Sequence, residues 1–142
     1  MRTEIIRTKI AEIQESLELI RENLPDSFED FASLGLIKDG MYKRIEFCIQ
    51  NVFDICAIIN SDLRFGIPRS DDDIHGILVR NGVIDHEMMA KLKGMKGFRN
   101  IIVHRYAGID DRLSYEFLSE KLVDFEEFIG KLTEFMKAQS KL

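Results

Sequence analysis

The chain has 142 residues, enough to bury one core without disulfides or metal, and its 45% apolar and 32% charged residues are those of a folded globular domain. A formal net charge of −5 excludes broad coating of nucleic acid, and no apolar run approaches the roughly 20 residues that cross a bilayer. The N-terminal stretch carries acids throughout and lacks a continuous apolar run, so it does not read as a signal peptide. The expectation is a single domain over residues 1–142, cytoplasmic and away from membranes.

Taken in chain order, Ile6, Ile10, Ile13, Leu17, Ile20 and Leu24 step by fours and threes, a one-sided helical stripe that Pro25 ends. Asp26 or Ser27 can cap a short helix carrying Phe28, Phe31 and Leu34. Gly35 and Gly40 mark a break. From Met41 a long helix repeats through Tyr42, Ile45, Ile49, Val52, Cys56, Ile59 and Leu63, closed by Gly66 and Pro68. The two cysteines, Cys48 and Cys56, fall roughly 12 Å apart on that helix, too far for a disulfide, and they lack metal-ligand spacing. They read as small buried apolar residues.

Ser70 followed by Asp71, Asp72 and Asp73 predicts an N-cap with acids in the first helical turn, where the dipole favours them. Asn81-Gly82 ends that helix. The next starts at Asp85 and carries Met88, Leu92, Met95, Phe98 and Ile102 inward, with Gly108 as a stop. Gly94 and Gly97 inside it cost up to about 1 kcal/mol each and point to close approach of another backbone or a ligand. In the last helix Leu118, Leu122, Phe125, Ile129, Leu132 and Met136 form one unbroken stripe, widened by Phe117, Phe128 and Phe135. So wide a face predicts a subunit interface. The architecture expected is an all-α, up-and-down bundle of five to six helices.

Charge is unevenly spread. Lys91 to Arg105 holds five cations and no acid, leaving −10 for the remainder. A local basic patch on an acidic body suits a confined anionic ligand better than a long duplex such as DNA. Nucleotide-binding loops, metalloprotease motifs and nucleophile elbows are absent from the sequence, and nothing calls for a metal or cofactor. His75 and His86 have ordinary amphipathic surroundings and read as structural or solvated.

His104 lies near a helix C-terminus, whose dipole favours the imidazolium, and a histidine is the natural proton carrier near neutral pH. Arg99, five positions earlier, is about 140° around the helix and 7 to 8 Å along it. The two converge on one ligand if Arg99 reaches along the helix, if the helix end distorts, or if a second subunit completes the site. Arginine and histidine flanked by lysines suit phosphodiester cleavage, the one neutralising phosphate charge and the other moving protons. Spacing alone favours an Arg99 ion pair with an acid on a neighbouring helix and a capping His104, and does not establish a nuclease.

The segment RNIIVHRYAGID, beginning at Arg99, resembles the R-x4-H-x-Y motif of HepT-like toxins in the HEPN superfamily, with Arg99, His104 and Tyr106 in the motif positions. Residues 45–60 and 82–100 are similar to the family pattern as well, so the resemblance spans roughly residues 38 to 137. It implies a HEPN-like α-helical homodimer whose two motifs face one cleft, and metal-independent endoribonuclease activity attributed to Arg99 and His104. It also implies a minimal nucleotidyltransferase antitoxin that transfers AMP to Tyr106. Asp54 or Asn51 on the long helix, and Asn100, would support the motif, while Lys93, Lys96 and Arg105 would contact RNA phosphates. The competing reading is a non-catalytic helical subunit that presents nucleotide or substrate to a nucleotidyltransferase. A structural dimer whose motif only holds the helix ends together is a third.

Overall fold

The computed structural model describes residues 1–104 and 110–140, and among them holds seven α-helices and no strand. In order these are α1 (Thr3–Asn23), α2 (Phe28–Ala32), α3 (Leu36–Asp62), α4 (Asp71–Arg80), α5 (His86–Val103), α6 (Asp111–Glu120) and α7 (Leu122–Ser140). The α1 stripe buries Ile6, Ile13, Leu17 and Ile20 along α3, which is the central helix and also packs against α4 and α5. α3 buries residues on most of its circumference, from Met41 to Asn60, and leaves one polar strip outside.

Two boundaries differ from the sequence reading. α3 starts at Leu36, with Gly40 inside it. The turn is made at Gly35 alone, in the left-handed region (φ +63°) that glycine enters without steric cost. Gly40 weakens the first turns, but Met41 and Tyr42 are buried and Lys38 is bonded to both Ala32 and Asp111, which offsets that cost. The second difference is at Lys121, where the last stripe breaks into α6 and α7, giving seven helices where five to six were expected. α6 packs on α2, whereas α7 packs on α1 and α5, and one straight helix could not serve both. Apolar periodicity passes through the bend and hides it.

The width of the last stripe is used up inside the chain. Leu122, Phe125, Phe128, Ile129 and Leu132 are buried, and Phe117 stacks on Phe98 at 4.1 Å. Phe135 and Met136 at its far end are only half-buried. Caps follow the sequence: Ser70 Oγ accepts from the Asp73 amide at 3.1 Å and Asp85 Oδ1 from the Met88 amide at 2.8 Å. At Gly82 (φ +73°) the amides of Gly82 and Val83 bond back to Val79 and Leu78, so the α4 terminus closes in a Schellman turn. Both cysteines are free and buried, and burial pushes the Cys48 thiol up to about 12. No helix among the described residues is long and apolar enough to cross a membrane.

Candidate active site

α5 carries the two residues of interest near its end. The helix stays regular through Val103, and exposed His104 is its C-cap, the backbone amide donating to the Asn100 carbonyl at 3.1 Å. Regularity preserves the angular offset expected between Arg99 and His104, about 140°. Arg99 leaves α5 toward α3 and α4. Its Nη1 donates to Gln50 Oε1 at 2.9 Å, its guanidinium carbon lies 4.8 Å from the centre of the Phe53 ring, and its Nη2 is 3.8 Å from Asp71 Oδ2.

These contacts have a shared electrostatic character. The short hydrogen bond goes to a neutral amide, and the ring adds a weak cation–π attraction. The carboxylate stands beyond hydrogen-bonding distance and is 41% exposed. Arg99 is thus fixed in place on two sides by a neutral amide and a ring, with Asp71 alongside at 3.8 Å. An acid on a neighbouring helix does face Arg99 at ion-pair distance, as the structural reading required, though without a hydrogen bond.

Gln50 is itself held. Its Nε2 donates to Asp54 Oδ1 at 2.8 Å, and Asp54 Oδ2 faces Lys9 at 3.5 Å. Asp54 therefore reaches Arg99 only through Gln50. Asn51, the other candidate on that helix, is turned into the core at 2% exposure with Nδ2 lacking a hydrogen-bond partner, and does not meet Arg99. Asn100 is exposed and serves α5 through its carbonyl. Lys93 is exposed, whereas Lys96 pairs with Asp72 at 3.4 Å. Lys91, also in the basic stretch, bonds to Glu127 and Glu87. Arg105 and Tyr106 lie outside the described residues.

The acid triplet is dispersed: Asp71 faces Arg99, Asp72 faces Lys96, and Asp73 accepts the Arg69 amide at 2.9 Å. Among the described residues no group of three or more metal-ligating side chains gathers. His75 is buried, its ring 5.2 Å from that of Phe53, and burial lowers its pKa. Gly94 and Gly97 meet nothing within 4 Å at the Cβ position, so among the described residues no other backbone approaches them. They open on a shallow apolar cleft of about 330 Å³ between α5 and α6, lined also by Phe98, Ile101, Leu113 and Phe117.

Sequence reasoning missed Gln50, Phe53 and Asp71. Gln50 is one turn before Asp54 on the same strip, and that spacing was the available signal. Asp71 carried a sufficient local explanation as a first-turn acid, which concealed its second contact. The candidate groups for an anion are Arg99 and Lys93 on α5, with Lys96 beside Asp72 and exposed His104 at the end of the same helix.

Comparison with known proteins bears on what that site does. The family described as Ribonuclease HepT-like matches residues 13–132. The mRNA nuclease HepT of Shewanella oneidensis is 31% identical over 126 residues, covering 89% of this chain and 94% of that protein. A toxin–antitoxin MntA-HpeT mutant structure superposes with a TM-score of 0.83 at 30% identity, covering 92% of this chain and 98% of the other. The tri-AMPylated Shewanella oneidensis HEPN toxin in complex with MNT antitoxin gives 0.82 at 29% identity, over 92% and 97%.

Proposed function

The chain belongs to the HepT-like ribonuclease family, and on that premise we propose that it is an RNA-cleaving toxin whose working groups are Arg99 and His104. The observation that carries this reading is Arg99, held half-buried on α5 by a neutral amide and a ring with no carboxylate in hydrogen-bonding distance, five residues before the exposed His104. The family supplies the reaction class, and the surroundings of Arg99 support its proposed role.

In cleavage the RNA 2′-oxygen attacks the adjacent phosphorus and the bond to the 5′-oxygen breaks. His104 removes the 2′-hydroxyl proton or delivers one to the departing oxygen, while Arg99 neutralises charge gathering on the phosphate. Neither role requires a metal. Lys93 and Lys96, with Arg105, contact flanking phosphates. Because Arg99 and His104 leave α5 in different directions, the complete site draws on two protomers. The open α5–α6 cleft and exposed Val103 and Leu113 supply apolar surface for that association.

The partner is a nucleotidyltransferase antitoxin of the MNT type, which adenylates Tyr106 and places bulk and negative charge beside the anion site. Both proteins work in the cytoplasm. The test is cleavage of single-stranded RNA in EDTA by the partner-free protein, with His104→Ala inactive. RNA binding without cleavage by the wild type would favour the non-catalytic subunit instead. Mixing inactive Arg99→Ala and His104→Ala proteins should restore activity through composite dimers; no recovery after exchange of protomers would place both groups in one chain. Adenylation should raise the mass of the wild type by one or more AMP units, and Tyr106→Phe should remain unmodified.

A further inference from the structure

We infer that Gln50 is a positioning residue of this site, clamped by Asp54 so that its carbonyl oxygen holds the Arg99 guanidinium in line for phosphate. The inference rests on the reading of Arg99 as a working group, and it comes from two hydrogen bonds. Arg99 Nη1 donates to Gln50 Oε1 at 2.9 Å, and Gln50 Nε2 donates to Asp54 Oδ1 at 2.8 Å. An arginine can only donate and a carboxylate only accept, so a glutamine between them has one possible orientation. Asp54 thereby sets the amide, and the amide sets the arginine.

A neutral acceptor is what such a site needs. A carboxylate 2.9 Å from the guanidinium would cancel the charge intended for the substrate. No acceptor at all would leave the head to swing over Phe53 or toward Asp71. The amide restrains direction and leaves charge in place. Gln50 is exposed, so its bonds contribute little to the core, and a role confined to folding does not account for the arrangement.

The experiment compares steady-state RNA cleavage by the full-length wild type, Gln50→Leu, Gln50→Glu and Arg99→Ala, with thermal unfolding of each. Gln50→Leu should lower kcat roughly tenfold to a hundredfold, the scale of a misplaced reacting group, with KM within about twofold and Tm unchanged. Gln50→Glu should lower kcat and also raise KM, because its carboxylate competes with phosphate. Wild-type kcat in Gln50→Leu, while Arg99→Ala is inactive, would overturn the inference and leave the reading of Arg99 standing. Activity lost only in proportion to a fall in Tm would overturn it too, as would Gln50→Glu performing like the wild type. Full activity in Arg99→Ala would remove the reading on which it depends.

Discussion

Lys38 and Arg99 both sit beside α3, and their surroundings are built in opposite senses. Lys38 donates to Asp111 at 2.8 Å and to the Ala32 carbonyl at 3.1 Å, and Asp111 also accepts from the Tyr42 hydroxyl at 2.5 Å. Burial acts to raise the Asp111 pKa, yet the bonds from Lys38 and Tyr42 hold it below the ordinary carboxylate value. Burial, reinforced by Asp111, pushes the Tyr42 phenol well above its usual value. Each polar group in that cluster has a short, charged or buried partner, and together they tie the start of α6 to α2 and α3. Arg99 has a neutral hydrogen-bond partner, a ring and a carboxylate 3.8 Å away that is not hydrogen-bonded to it. What separates a cation that holds the fold from one available to a ligand is therefore not whether an acid is nearby, but how near it is and whether it is hydrogen-bonded.

The largest expected effect breaks the Arg99 side. Arg99→Ala should lower RNA cleavage by about 10² to 10³, the usual consequence of removing one preorganised donor to developing charge. Its stability in urea should fall by about 1 kcal/mol, the scale of the Gln50 hydrogen bond and the Phe53 ring contact, because no hydrogen-bonded ion pair is lost. Asp111→Ala should do the reverse. It removes the acceptor of a buried phenol and of Lys38, and the expected cost is about 2 kcal/mol of stability with cleavage intact in the folded protein. Because the folded Asp111 pKa is depressed, its contribution is present above the unfolded value near 3.9 and lost as pH falls through the folded one. Urea midpoints at pH 7 and pH 3 should thus differ less in Asp111→Ala than in the wild type.

How far these two clusters could be read from sequence follows from the range of the signals. Helix stripes, caps at Ser70 and Asp85, and the Asn81-Gly82 stop depend on neighbours within a turn, and each stands where periodicity put it. The bend at Lys121 does not interrupt the apolar period, so it left no local mark. Arg99 and His104 were visible through their motif, but the partners of Arg99 come from positions 49 and 28 residues away. Helical phase could show that Gln50 and Asp54 share a strip; only the α3–α5 packing shows which of them touches the arginine. Asn51 was a candidate for its polarity and is instead in the core.

A smaller effect should come from His75, which lies against the same Phe53 ring that Arg99 covers. Burial lowers its pKa, opposed by Asp71 and Asp72 and aided by Lys96. Below the unfolded value near 6.5 the unfolded chain takes up a proton that the folded one refuses, so stability is full above that pH and declines as pH falls toward the lowered folded pKa. His75→Leu should flatten the urea-midpoint profile between pH 7.5 and 5.5. An unchanged slope would show that His75 does not report on this region.

The smallest expected effect is the sharpest test of the contrast, and it concerns Asp71. Two unit charges about 4 Å apart in a watery setting interact by roughly 1 kcal/mol, and Asp71 is 3.8 Å from Arg99 with its side chain 41% exposed. Asp71→Asn keeps the shape of the first turn of α4, gives up a favourable dipole contact of about 0.3 to 1 kcal/mol, and removes a carboxylate that competes with phosphate for the guanidinium. Screening and side-chain entropy leave little of the charge-pair attraction at this exposed carboxylate. Stability should therefore fall by no more than about 1 kcal/mol, while RNA binds a few-fold more tightly at low salt. The gain in affinity should vanish in 1 M salt, where the Debye length is about 3 Å. Weaker RNA binding, or a stability loss near 2 kcal/mol, would make Asp71 to Arg99 what Asp111 is to Lys38, and the distinction between the two clusters would fail.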